Sequence, residues 1–160
     1  MSYAVPSLKP IQDQIDANAA DIAANAENKV LLGELSVSSG TLQTLASLDL
    51  SKYNRLELEG DNVGHTDGGF RGREPLEING TSFTVSVGDY NGAGSAVAFK
   101  ATLDLFTGEM KGESWDVIDP SPKTAINVFA TVRRGTTSLD FGFSTLQEMN
   151  SGTIEIYGVR

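Results

Sequence analysis

Few side chains able to do chemistry in this sequence stand at the spacings that chemistry requires. The single histidine, His65, lies in a glycine-rich stretch with Asp61 and Asp67. An imidazole beside carboxylates can act as a general base or ligate a metal. Nucleophilic catalysis would also need an activated serine or cysteine and a third group to orient the base, and the spacing gives no hint of one. Asp116 and Asp119, beside Trp115, are the only local pair of the kind a glycosidase sets across a groove. Asp61, Asn62 and Asp67 offer oxygen atoms of the sort calcium accepts. Their spacing matches no EF-hand, and acid-rich loops are mostly just solvated. The sequence therefore reads as a non-enzyme with no catalytic residues, no metal and no cofactor of its own.

Sugar recognition asks for less. Saccharide faces stack on aromatic rings, and their hydroxyls pair with Asp, Asn and Arg. His65, Asp67, Phe70, Arg71 and Tyr90 supply those types on two glycine-rich stretches, 60–75 and 88–95, and such loops on a rigid scaffold tend to carry contacts. These five are the candidate receptor-binding residues. Phe70 would be costly to expose without a partner, so a plug in an interface between subunits is its other reading. Trp115 has the right ring as well, but its place next to Val117 in a strand pattern predicts a core position.

The elements that position these loops begin after residue 29. Arg55, Glu57 and Glu59 alternate with Leu56 and Leu58, the mark of a half-buried strand. Similar runs predict strands over 30–37, 42–50, 53–59, 76–78, 82–87, 96–106, 109–117, 125–133, 138–144 and 153–159. Asn79-Gly80 is a strong hairpin signal, Thr107-Gly108 closes a second hairpin, and residues 119–122 and 134–136 read as turns. Short strands at regular spacing predict an antiparallel β-sandwich, jelly-roll-like in arrangement.

Ahead of them, residues 10–28 read PIQDQIDANAADIAANAEN. Ile15 and Ile22 are seven apart, and a heptad register places Leu8, Ile15, Ile22 and Lys29 at a and Ile11, Asn18, Asn25 and Leu32 at d. The helix carries Asp13, Asp16, Asp21 and Glu27 with no base before Lys29, and alone it would be marginal in water. It could lie on its own domain. The stripe is narrow for that, however, and alanines at 17, 19, 20, 23, 24 and 26 suit close approach of other helices. A buried asparagine needs its amide paired, and two at the same heptad position suggest a symmetric environment. Isoleucine at a fits either two or three strands.

The run Ile15-x-x-Asn18 followed by Ile22-x-x-Asn25 resembles the asparagine-at-d motif of trimeric coiled coils in phage fibres and trimeric autotransporter adhesins, although Ala19 and Ala26 stand where that motif often has Thr. The resemblance implies a homotrimer with a seam of Ile11, Ile15, Asn18, Ile22, Asn25 and Leu32. It also implies inward Asn18 and Asn25 amides around an axial anion, usually chloride. Val5-Pro6 and Lys9-Pro10 break helical continuity before this point, and Pro10 fits a first helical position. Tyr3, Val5, Pro6 and Leu8 thus belong either to an attachment arm or to a disordered terminus.

As a whole, an arm, a short coiled coil and a glycine-rich β body ending GTIEIYGVR resemble small fibre proteins of tailed bacteriophages, on tail or head. That likeness implies a mainly β chain in three parts: a virion-docking arm at 1–9, an N-terminal α-helical trimeric coiled coil at 10–29, and an antiparallel jelly-roll-like β-sandwich at 30–160. It implies a virion location, docking on other virion proteins, and contact with host-surface carbohydrate. A structural adaptor or decoration subunit that binds no receptor is the alternative, and a depolymerase fragment a third reading.

Composition sets the outer bounds. A length of 160 residues suits one domain with an appendage. The charge, 12 − 21 = −9, disfavours nucleic acid and anionic lipid as partners. There is no cysteine and hence no disulfide framework. No stretch approaches the ~18 apolar residues of a membrane span, and the first residues lack a secretory signal. The sequence thus predicts a soluble chain made in the host cytoplasm.

Overall fold

The computed structural model describes residues 8–27, 29–37, 42–65, 72–87, 96–117, 120, 123–143 and 149–160. Its one helix, α1, spans Lys9–Glu27. Pro10 lies in the first turn, where a missing N–H is harmless, and the Leu8 carbonyl accepts from Ile11 N at 3.1 Å and Gln12 N at 3.0 Å. Side chains four apart brace the exposed surface: Lys9 to Asp13 at 3.1 Å, Gln12 to Asp16 at 2.9 Å and Gln14 to Asn18 at 2.9 Å.

The helix stops at Glu27, and Lys29 already opens the first strand, β1 (Lys29–Ser36). This corrects the heptad register at its C-terminal end. Leu32 is not a helical d residue. Val30, Leu32 and Leu35 pack against the strand core, because pairing of this segment with β10 (Met149–Val159) takes its backbone hydrogen bonds in place of another helical turn.

The remaining strands are β2 (Gln43–Leu45), β3 (Arg55–His65), β4 (Gly72–Ile78), β5 (Thr81–Val87), β6 (Ala96–Asp104), β7 (Glu109–Asp116), β8 (Lys123–Phe129), β9 (Leu139–Phe143) and β10 (Met149–Val159). The chain is mainly β, in two antiparallel sheets ordered β1-β10-β3-β6-β7-β8 and β2-β9-β4-β5. The pairings are nested. β1 pairs with β10, β2 with β9, β3 with β6 and β4 with β5, as if one long hairpin were folded double about Asn79-Gly80. Pairing of β10 with β3 and of β4 with β9 joins these hairpins sideways into sheets. The β7–β8 hairpin lies outside the nest and widens the first sheet beyond β6.

Both sheets turn one face to a shared core. Leu56, Leu58, Phe99, Leu103, Ile154 and Ile156 come from the six-stranded sheet, and Leu76, Ile78, Phe83, Val85, Phe141 and Phe143 from the four-stranded one. Phe83 meets Phe99 edge to face across the gap, centroids 6.2 Å apart at 73°, the arrangement aromatic quadrupoles favour.

Two strand predictions need correction. The segment 60–75 was expected to be a loop, yet β3 runs on to His65 and β4 starts at Gly72. A bulge between Gly60 and Val63 breaks the alternation. At the bulge Asn62 has φ 53° and, opposite it, Gly152 has φ 101°. A Cβ on Gly152 would stand 2.5 Å from the Asn62 carbonyl oxygen. Within 42–50, only Gln43–Leu45 pairs as a strand.

The expected hairpin at Asn79-Gly80 is present, with φ 47° and 78°, and it is tied to β9. Asn79 Nδ2 donates to Ser138 O at 3.0 Å, and Asn79 Oδ1 accepts from Asp140 N at 2.7 Å. Asn79→Ala removes both bonds and leaves a Cβ residue in a left-handed conformation, an expected loss of about 3 kcal/mol. Asn79→Gly keeps the backbone freedom and should lose about 2 kcal/mol. Urea midpoints at unchanged m-value check both.

Candidate functional site

The sheet register decides which side chains share a surface. In β7, Met110, Ser114 and Asp116 are buried while Lys111 and Glu113 are exposed. Trp115 is in phase with the second set and only half-buried. The expectation of a core tryptophan is therefore wrong: Trp115 lies on the outer face of the six-stranded sheet. Asp116, at 2 % exposure, faces inward, so it cannot form half of a solvent-facing carboxylate pair. Asp119 lies outside the described residues.

Around Trp115 the outer face is built row by row. Ala98 is its cross-strand partner on β6, and Asp61 on β3 is partnered by Thr153 on β10. One row further, Glu34, Glu155, Glu59, Lys100 and Glu113 lie side by side across β1, β10, β3, β6 and β7. Glu59, Asp61, Lys100, Trp115, Thr153 and Glu155 line a hollow of about 280 Å³, with Gly60, Ala98 and Phe99 completing its wall. The short side chain of Ala98 leaves the room beside the indole.

Three adjacent glutamates would repel one another, and cations answer them. Lys29 Nζ is 2.7 Å from Glu57 and 3.6 Å from Glu59, Lys100 is 3.9 Å from Glu59, and Arg55 is 3.9 Å from Glu57. Lys29 also stands over the Tyr157 ring, 4.3 Å from its centroid. Its ammonium is held above the usual lysine range chiefly by the hydrogen bond to Glu57; burial, the next influence, opposes it, and the charges of Glu57 and Glu59 add to the rise. Tyr157 OH donates to the Glu155 carboxylate, and that bond raises the phenol above its ordinary value. Lys123 lies over the Trp115 ring, 5.3 Å from the centroid, and 3.4 Å from Glu113.

The residues expected from sequence to meet a receptor are placed differently. His65 is the last residue of β3, paired with Met149. Asp67, Phe70, Arg71 and Tyr90 lie outside the described residues, as do Tyr3, Val5 and Pro6. The strand ends that bracket 66–71 and 88–95 are described. Gly72 pairs with Val87 at one end of the second sheet, and Gly64 with Ala96 at one end of the first. That end is remote from α1, because the register row of Lys29, Val159, Arg55 and Asp104 fixes the helix junction at the opposite edge.

Asp61 and Asn62 are exposed on the β3 bulge, and among the described residues no group of three or more His, Asp or Glu could hold a metal ion. Nor is any described helix long and apolar enough to cross a membrane. On α1, Leu8, Ile11 and Ile15 are 74 %, 61 % and 55 % exposed, and every described side chain through residue 20 is exposed. Ile22 and Asn25 are helical in backbone. The signal for the Trp115 face was present in the sequence, since Lys111, Glu113 and Trp115 stand two apart and out of phase with Met110. No protein-family model matches the chain, and no curated protein matches it significantly.

Proposed function

We propose that this chain is a homotrimeric virion fibre of a tailed bacteriophage, docked through its N-terminal arm and carrying a β head toward host-surface carbohydrate. The observation that carries this reading is the unpartnered stripe of α1. Ile11 and Ile15 stand in solvent on a helix whose main contact with the strands is its junction with β1. An isolated helix of this composition is marginal, and a coiled coil of copies supplies the missing cover. The Ile/Asn spacing favours three strands. Gln14 Nε2 donates to Asn18 Oδ1, which leaves the Asn18 NH2 as the group to hold an axial chloride together with Asn25.

The nested pairing β1·β10, β2·β9, β3·β6 and β4·β5 supports a jelly-roll-like reading of the head, with β7–β8 as an added hairpin. The pair Gly64–Ala96 marks the end of the six-stranded sheet away from the α1–β1 junction, where a tip would meet its target, and Asp67, Phe70, Arg71 and Tyr90 are the proposed contacts there. On this reading the head is a binding module and not an enzyme, and the arm docks on other virion proteins.

Light scattering of the full chain beside a chain starting at Val30 tests the proposal. A trimer that becomes a monomer on truncation supports it, and a monomeric full-length chain overturns it. Binding of the trimer to host cells then separates a receptor-binding fibre from an adaptor or decoration subunit that only packs on virion proteins. Absence of new reducing ends in host polysaccharide separates it from a depolymerase.

A further inference from the structure

We infer that the outer face of the six-stranded sheet carries a saccharide site beside Trp115, which takes a sugar unit bearing no acidic group. The inference rests on the reading of the head as carbohydrate-directed, but places the contact on strands and not on the loops at the far end.

Three features of the hollow point to a sugar. Trp115 presents a half-buried ring on a flat, strand-built surface, where the C–H face of a pyranose can stack. Its 280 Å³ suits one saccharide unit with neighbours running out along the sheet. Polar groups on the other sides are Glu59, Asp61, Glu155 and the Thr153 hydroxyl. Ionised carboxylates accept strongly from sugar hydroxyls, and strands hold them at fixed spacing.

Charge selects within the class. Lys29 and Lys100 both answer Glu59, whereas Asp61 and Glu155 have no cation within 4 Å among the described residues, so that side of the hollow is negative; a uronate or sialate is repelled there while neutral and amino sugars are accepted. Lys123 is the only cation over the indole among the described residues. It is a half-exposed side chain held by one exposed ion pair, and such contacts are weak and readily displaced.

Trp115 is the single tryptophan of the chain, so its emission reports on this site alone. The full-length protein is titrated into the millimolar range with maltotriose, N-acetylchitotriose, the glucosamine trimer and trigalacturonate. The expected result is a saturable blue shift with at least one neutral or amino trimer and none with trigalacturonate. Asp61→Asn should weaken that response about tenfold, as loss of a charge-assisted acceptor does, and Lys123→Ala should leave it intact or strengthen it. Both positions are exposed, and circular dichroism checks that the variants fold. No shift with any neutral or amino trimer overturns the inference, as does an equal response to trigalacturonate or a response unchanged by both Asp61→Asn and Glu59→Gln. Host-cell binding without a Trp115 response would sink this site and leave the fibre reading standing. A Trp115 response from a monomeric chain would do the reverse.

Discussion

A chain carrying Ile11→Asp and Ile15→Asp together is expected to run at one third of the wild-type mass while its head unfolds at the same urea concentration. Both side chains are more than half exposed in a single copy, so the substitutions remove nothing from the head. In a trimer each isoleucine goes from water to a helix seam, worth about 1.5–3 kcal/mol per side chain. Six of them make about 9–18 kcal/mol, most of what can hold so short a coiled coil together. The aspartates add to the loss, because three carboxylates per layer would have to shed water and repel one another at the axis. Light scattering and a urea melt read the two halves of the expectation. An unchanged mass would mean that copies meet elsewhere. Asn18→Ile with Asn25→Ile should act in the opposite sense, keeping or tightening association while loosening strand number and register and removing any bound chloride. If the pair changes none of these, the asparagines have no part in the seam.

Gly60→Ala should destabilise the head by about 3 kcal/mol, although Gly60 has no unusual φ. A methyl group there would sit 2.1 Å from the Phe99 ring. Phe99 is 1 % exposed and set edge-on against Phe83, so the ring has nowhere to withdraw. Phe99→Ala alone opens a cavity between the sheets, at about 3–5 kcal/mol. The two changes should not add. With the ring gone, the Gly60 methyl occupies part of the space it left, and the double variant should recover about 1–3 kcal/mol of the summed loss. Strict additivity in urea melts would show that the bulge beside Gly60, and not the ring, sets the constraint. Gly60 and Phe99 also line the hollow beside Trp115, so both single variants should disturb that surface from beneath.

Much of this architecture could be read from local signals. Alternation marked Arg55 to Glu59, the Asn-Gly and Thr-Gly pairs marked two hairpins, and the isoleucine spacing marked the helix. What failed was decided by partners distant in sequence. The bulge at Asn62 is fixed by Gly152 on β10, ninety residues on, and no local pattern announces it. Leu32 continued a heptad on paper, but pairing of its neighbours Leu31 and Gly33 with β10 draws the segment into a strand. The place of Trp115 beside Val117 in a strand pattern pointed to the core, although the phase of Glu113 already put it outside. The hollow was beyond sequence reasoning altogether, since Asp61, Lys100, Trp115 and Thr153 come from four strands.

The nested pairing also sets a timetable. β10, eleven residues long, is the last of the described strands in sequence and sits between β1 and β3, one place in from the edge of its sheet. Until it leaves the ribosome, β1 has no strand partner, and the six-stranded sheet cannot close. Non-local pairing of this kind folds slowly, on the order of milliseconds to seconds. The proposed association of α1 needs no strand, so copies of the helix would be free to meet before β10 is made. Chains synthesised side by side on one message would thus be tethered at the stem while their heads are still open. A burst of head folding once β10 has emerged from the ribosome would be the visible sign.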